Sequence, residues 1–166
     1  MSIQIIGGIE LRLNTLWDFY FEDTPESRFL VVTTSLPFFN LDTETRDTGA
    51  KHYSNFNPEE GFSITFNETN DFQVYEYFKE WRDKHIFDPE TRRFRLGNHT
   101  KNAILAFQSY NKGKLEYIKA FKFDGILFKG MEDFSLNYTD SANQQITVSF
   151  AVNEIYEISP NQVEEI

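Results

Sequence analysis

The sequence predicts a mainly β protein built from antiparallel strands, with a single flanking α-helix over about residues 70–85. Three observations carry that reading. Apolar and polar residues alternate strictly in Phe62-Ser63-Ile64-Thr65-Phe66, Phe134-Ser135-Leu136-Asn137-Tyr138 and Ile146-Thr147-Val148-Ser149-Phe150-Ala151-Val152. This is the pattern of strands with one buried and one wet face. Aromatic residues, which favour strands, are abundant: 18 Phe, 8 Tyr and 2 Trp in 166 residues. Helical spacing appears convincingly in one segment alone.

Length and composition set the outer limits. A chain of 166 residues falls in the single-domain range, so residues 1–166 are read as one domain. A fold of that size buries roughly 70% of its unfolded surface, enough for a core without metal or disulfide support. There is no cysteine, which removes thiol catalysis, thiolate metal sites and disulfides together. The start of the chain lacks the basic and apolar regions of a signal peptide, and no apolar run approaches the roughly 20 residues of a membrane-spanning helix. The expected site of synthesis is the cytoplasm. Asn-x-Thr sequons at Asn67, Asn98 and Asn137 then reflect an Asn- and Thr-rich β protein rather than glycosylation.

Residues 16–21 and 28–34 are the first two expected strands, separated by a polar turn through Thr24-Pro25-Glu26. Phe29-Leu30-Val31-Val32 is apolar on both faces, which predicts a central strand covered on both sides. Ser35-Leu36-Pro37 ends it, since proline cannot donate to a β-ladder. Residues 40–60 are polar and include Asp42, Glu44, Asp47, Lys51, His52 and Tyr53. So long a polar stretch in a compact domain is often functional. It is read as an extended hairpin or arm that contacts neighbouring subunits, the alternative being a plain surface loop.

After the strand at 62–66, Asn70 is placed to cap the helix, with Asp71 and Glu76 near the positive end of its dipole. Val74, Tyr75, Phe78, Trp81 and His85 share one face, and Glu76, Lys79, Glu80 and Asp83 the other. Tyr75, Phe78 and Trp81 are the expected anchors to the core. A charged connector follows to Asn98. Residues 101–110 and 115–124 form a hairpin about Asn111-Lys112-Gly113. Asp124-Gly125 and Lys129-Gly130 bracket a short buried run, Ile126-Leu127-Phe128. A last hairpin pairs 134–139 with 146–155, and 159–166 is an acidic tail.

Few residues are left for chemistry. The three histidines, His52, His85 and His99, form no H-E-x-x-H pair, and no Gly-rich loop precedes a helix, so zincin, P-loop and dinucleotide signatures are all absent. Asp88, Glu90, Arg92, Arg93 and Arg95 read as a solvated connector. No catalytic residue, metal or cofactor is expected. The formal charge is −10, from 26 acidic and 16 basic residues, opposite to the positive footprint of a duplex-binding protein. Such a chain repels nucleic acid as a whole.

The order of these elements resembles the tail-tube proteins of contractile-tailed bacteriophages, over roughly residues 16–158. Thr34-Ser35-Leu36-Pro37 looks like the corner after the family's early strand. Gly61-Phe62-Ser63-Ile64-Thr65-Phe66, followed by Phe78-Lys79-Glu80-Trp81, looks like its strand passing into an aromatic-rich helix. Phe121-Lys122-Phe123-Asp124-Gly125 resembles the strand before a glycine that family members follow with an aromatic-Pro pair, and 146–158 looks like the closing strand. Here Leu127-Phe128-Lys129 stands in place of that pair, which leaves open a tube subunit or the baseplate subunit that starts the tube.

The resemblance implies a β-sandwich or barrel with a flanking helix. It also implies self-assembly into hexameric rings stacked as a tube, with tail sheath and baseplate proteins as partners and DNA passing through the lumen without specific binding. The location implied is the virion tail. Two alternatives stand beside it: the tube protein of a type VI secretion system, and, from another class, a small acidic enzyme or carbohydrate-binding β-sandwich with Trp17 and Trp81 as platforms.

Overall fold

The computed structural model describes residues 5–6, 9–10, 16–34, 39–45, 47–58, 61–112, 114–132 and 144–163. Two short strands, β1 (Ile5–Ile6) and β2 (Ile9–Glu10), pair with each other. Six strands form the main sheet: β3 (Trp17–Phe21), β4 (Val31–Thr34), β7 (Gly61–Asn67), β10 (Lys101–Asn111), β11 (Lys114–Met131) and β12 (Gln145–Ile158). Their order is β3-β10-β11-β12-β7-β4, antiparallel throughout. The predicted β class holds. So does the alternation: Phe62, Ile64 and Phe66 on β7, and Ile146, Val148 and Phe150 on β12, are all buried. The expected strand at 134–139 lies outside the described residues.

Beside this sheet stand two hairpins, β5 (Phe39–Thr45) with β6 (Lys51–Pro58), and β8 (Phe87–Asp88) with β9 (Arg93–Phe94). Among the described residues the one α-helix, α1 (Gln73–Trp81), continues as a wider π turn over Arg82–Ile86. It lies on one face of the main sheet. Phe78 and Trp81 are buried there, and Tyr75 packs half-buried at the margin. Trp81 stacks on Phe150 at 6.1 Å between centroids and meets Phe21 edge-on at 5.9 Å. Its indole nitrogen donates to the His99 carbonyl at 3.0 Å, so the ring is buried without an orphaned donor.

Three local expectations are corrected. The segment 28–34 is not a central strand. Residues Pro25–Phe29 form a 3-10 turn, and the strand that follows, Val31–Thr34, lies at the edge of the described sheet. Proline at the first position of that turn, with φ already set, favours the turn over extension. The double-sided apolar run reflects packing beneath α1 and at the sheet end, since Leu30 and Val31 both touch the core.

Asn70 does not cap the helix. Phe72 takes the N-cap position in the left-handed region, φ 56°, and Glu68 supplies the caps from outside. Its carboxylate accepts from the amides of Thr69 (2.8 Å), Val74 (3.0 Å) and Tyr75 (2.9 Å). Thr69 Oγ1 accepts from Gln73 at 3.0 Å. A full charge on the helix's orphan amides outcompetes the neutral Asn side chain.

The run Ile126-Leu127-Phe128 is not a separate strand but part of the 18-residue β11. Two residues of β11, Asp124 and Gly125, oppose one of β10, Asn102, which makes a bulge. Gly125 sits at φ 69°, and its amide donates to Asn102 Oδ1 at 3.1 Å. A Cβ there would collide with the Asn153 side chain, and the left-handed backbone already favours glycine. The bulge shifts the inward phase from Phe121 and Phe123 to Ile126 and Phe128, which is why the alternation breaks at Asp124-Gly125.

The opposite face of the sheet buries a second, smaller cluster of Tyr20, Ile104, Ala106, Ala120 and Val163. Val163 reaches it through a 3-10 turn, Pro160–Gln162. The acidic tail is therefore folded back over its first residues. Trp81→Ala is expected to cost about 3–5 kcal/mol. Urea unfolding followed by circular dichroism measures it; an unchanged midpoint would place the ring outside the core.

Candidate assembly surface

Polar strands fold when they can pair, whatever their hydrophobicity, because each buried or crowded backbone group needs a partner. The polar arm does this internally. β5 and β6 form their own two-stranded sheet, with Glu44 opposite His52, Thr43 opposite Tyr53 and Thr45 opposite Lys51. Asp42 lies opposite Asn55, next to a register shift at Thr43. Asp47 and Lys51 are exposed at the turn, which Gly49 closes at φ 80°. All six residues singled out in the arm thus fall on one hairpin, which among the described residues pairs with no strand of the main sheet. A two-stranded hairpin alone is marginal in water.

A second projection was missed by the sequence reading. β10 and β11 continue beyond the last partner of β3, Trp17 opposite Phe107, and of β12, Ile158 opposite Ala120. Tyr110 faces Leu115 across this ribbon, and both are about half exposed. Ile118, the extra residue of a bulge, is 53% exposed. Lys112 and Lys114 are exposed at its end. The root of the ribbon is tied down: Asp18 accepts from Tyr117 Oη at 2.7 Å and from Gln108 Nε2 at 2.9 Å. No local signal marks it in the sequence, since Leu115 and Ile118 fit a strand pattern equally well buried or exposed.

At the other end of the sheet, beside α1, lies an apolar groove of about 400 Å³. Phe21, Leu30, Phe66, Val74, Tyr77 and Phe78 form its walls, and the exposed Glu26 stands at its rim. The Tyr77 hydroxyl donates to Asp23 at 3.2 Å. Burial, reinforced by the Asp23 charge, raises its pKa well above the usual phenol value, so it is a neutral hydroxyl at any physiological pH.

The β8–β9 hairpin carries the mixed charges of the connector, all on the surface except half-buried Asp88. Asp88 accepts from the amides of Glu90 (3.0 Å) and Thr91 (3.4 Å), which hold its carboxyl below the ordinary range. Asp83 is likewise lowered, by its hydrogen bond from Arg82. Both are surface effects that shape a loop. Phe94 and Leu96 project from this hairpin, highly exposed.

His85 and His99 form no ligand site with other described side chains. His85 is exposed in the π turn, and the His99 ring contacts its carbonyl oxygen. Among the described residues no group of three His, Cys, Asp or Glu side chains stands close enough to hold a metal. The sheet face away from α1 is small and polar along β7 and β12, where Thr65 and Thr147 hydroxyls bond across the strands at 3.0 Å. Replacing residues 43–54 with a short Gly linker should leave one cooperative urea transition near the wild-type midpoint. Loss of that transition would make the arm part of the folding unit.

No protein-family model matches the chain, and no curated protein sequence matches it. Solved structures do. The tube-terminating cap of the anti-feeding prophage is 10% identical, covering 96% of this chain and 95% of that one, with a TM-score of 0.63. A chain from the sheath–tube complex of an extracellular contractile injection system is 5% identical, covering 90% and 92%, with a TM-score of 0.60. Hcp1 from Flavobacterium johnsoniae is 13% identical, covering 86% and 94%, with a TM-score of 0.51. This chain has the fold of these tube and cap proteins.

Proposed function

We propose that the chain is a structural subunit of the tail tube of a contractile phage or phage-like particle, with no catalytic role. One observation carries the reading: the likeness to tube and cap structures runs over nearly the whole of both chains, not over a shared motif. In this reading the subunits close into hexameric rings, and the rings stack into a tube bounded by sheath and baseplate proteins. The subunit is made in the bacterial cytoplasm and resides in the particle tail. Closed rings satisfy sheet edges and protruding hairpins that are liabilities in a monomer. A terminal or initiating ring subunit is the nearest variant, since caps and tubes share this fold and Leu127-Phe128-Lys129 departs from the tube pattern.

The acidity supports a conduit for DNA. Six chains of charge −10 carry roughly −60 in all, so a phosphate backbone finds no adhesive wall. We place the small, hydroxyl-bearing face of β7 and β12 toward the lumen, because the helix crowds the other face. The sugar-platform alternative has little support, as Trp81 is 2% exposed.

Negative-stain images of the concentrated protein, alone and with its sheath protein, test the proposal. Rings of six or tubes support it; a 19.6 kDa monomer under every condition overturns it. The arm deletion is expected to remain soluble and to form no tubes. Gel shifts at low salt, where attraction is strongest, should show no DNA complex. Tight, salt-sensitive binding there would contradict the conduit.

A further inference from the structure

We propose that the exposed tip of the β10–β11 ribbon seats in the apolar groove beside α1 of a second copy of this chain, making a head-to-tail contact. The inference deepens the assembly reading by naming the two surfaces that meet.

The two surfaces match in kind. The tip offers three apolar side chains, Tyr110, Leu115 and Ile118, at roughly half exposure. The groove offers an aromatic-walled space of about 400 Å³, a size within the range of pockets that hold compact apolar groups. Their charges are opposite. Lys112 and Lys114 flank the tip, while Glu26 stands on the groove rim and Asp71 in the turn leading into α1; all four are exposed. In a chain of net charge −10, a lysine-tipped apolar ribbon finds its complement on another copy of the same acidic protein.

The tip cannot serve its own groove. Phe21 in the groove wall pairs with Ala103, while Tyr110, which faces Leu115 at the tip, lies further along the same strand. That stretch of strand, from 103 to 110, holds them roughly 23 Å apart. Asp18, bonded to Gln108 and Tyr117, ties the root of the ribbon to β3. A surface at one end of the sheet meeting a different surface at the other end is a heterologous contact. It propagates from copy to copy, closing into a ring or extending into a filament.

The chain has no cysteine, so single-cysteine variants give a clean test. Leu115→Cys protein and Gln73→Cys protein, mixed and treated with a short bis-maleimide, should yield a mixed dimer that neither forms alone. Lys112→Glu with Lys114→Glu should weaken association about tenfold, and Glu26→Lys on the partner should restore much of it. Rings that form without the mixed cross-link overturn this pairing and leave the tube reading standing. A cross-link without rings supports the pairing and counts against the tube reading. Unaltered assembly of the lysine variant overturns the pairing. So does cross-linking of Gln73→Cys to Leu136→Cys within one chain, which would give the groove an internal occupant from residues 133–143.

Discussion

The packing of Trp81 and Phe78 onto the sheet is the contact from which the rest follows. These two side chains gather rings from distant parts of the sequence: Phe21 from β3, Phe128 from β11 and Phe150 from β12. Aromatic pairs of this kind add to the burial of area itself. Because the strands they join lie at the centre and edge of the sheet, the helix fixes one end of the domain. Glu68 starts α1 at the end of β7, and the Trp81–His99 hydrogen bond hands the chain on to β10. The groove and the β8–β9 hairpin sit where they do because the helix is pinned between these two contacts.

With one end of the sheet covered, the other end is left to projections. The arm and the β10–β11 ribbon are each held by their own backbone pairing. In the proposed assembly the aromatic core stabilises the subunit while the hairpins present surfaces to neighbours. That separation lets a rigid body carry protruding hairpins, a division suited to repetitive assembly.

Much of the body was legible in the sequence, because period-two alternation and helical spacing are local signals. β7 and β12 read directly from Phe62-Ser63-Ile64 and Ile146-Thr147-Val148, and α1 from Val74, Phe78 and Trp81. Long-range competition hid the rest. Glu68 displaced Asn70 as the cap because a carboxylate outside the helix bonds its amides better than a neutral side chain nearby. Asp124-Gly125 read as the end of a strand and the border of a short run, but the Gly125 amide bonds Asn102 and the strand continues through a bulge. Val31 and Val32 looked central because the helix side of an edge strand is also apolar. The arm was visible as polar length, and its register was not, since Glu44 and His52 meet only once the turn at Gly49 has closed. The ribbon tip escaped notice because nothing local distinguishes the half-exposed Leu115 from a buried one.

In the proposed tube the subunit's core is complete in itself while its hairpins are completed by neighbours. Amide hydrogen exchange compared between the free and the assembled protein tests this most directly. The account predicts slow exchange in β7 and the central parts of β10, β11 and β12 in both states. It predicts fast exchange in residues 39–58 and 108–118 of the free subunit, slowing by orders of magnitude on assembly. Equal exchange of those two segments in both states would contradict it.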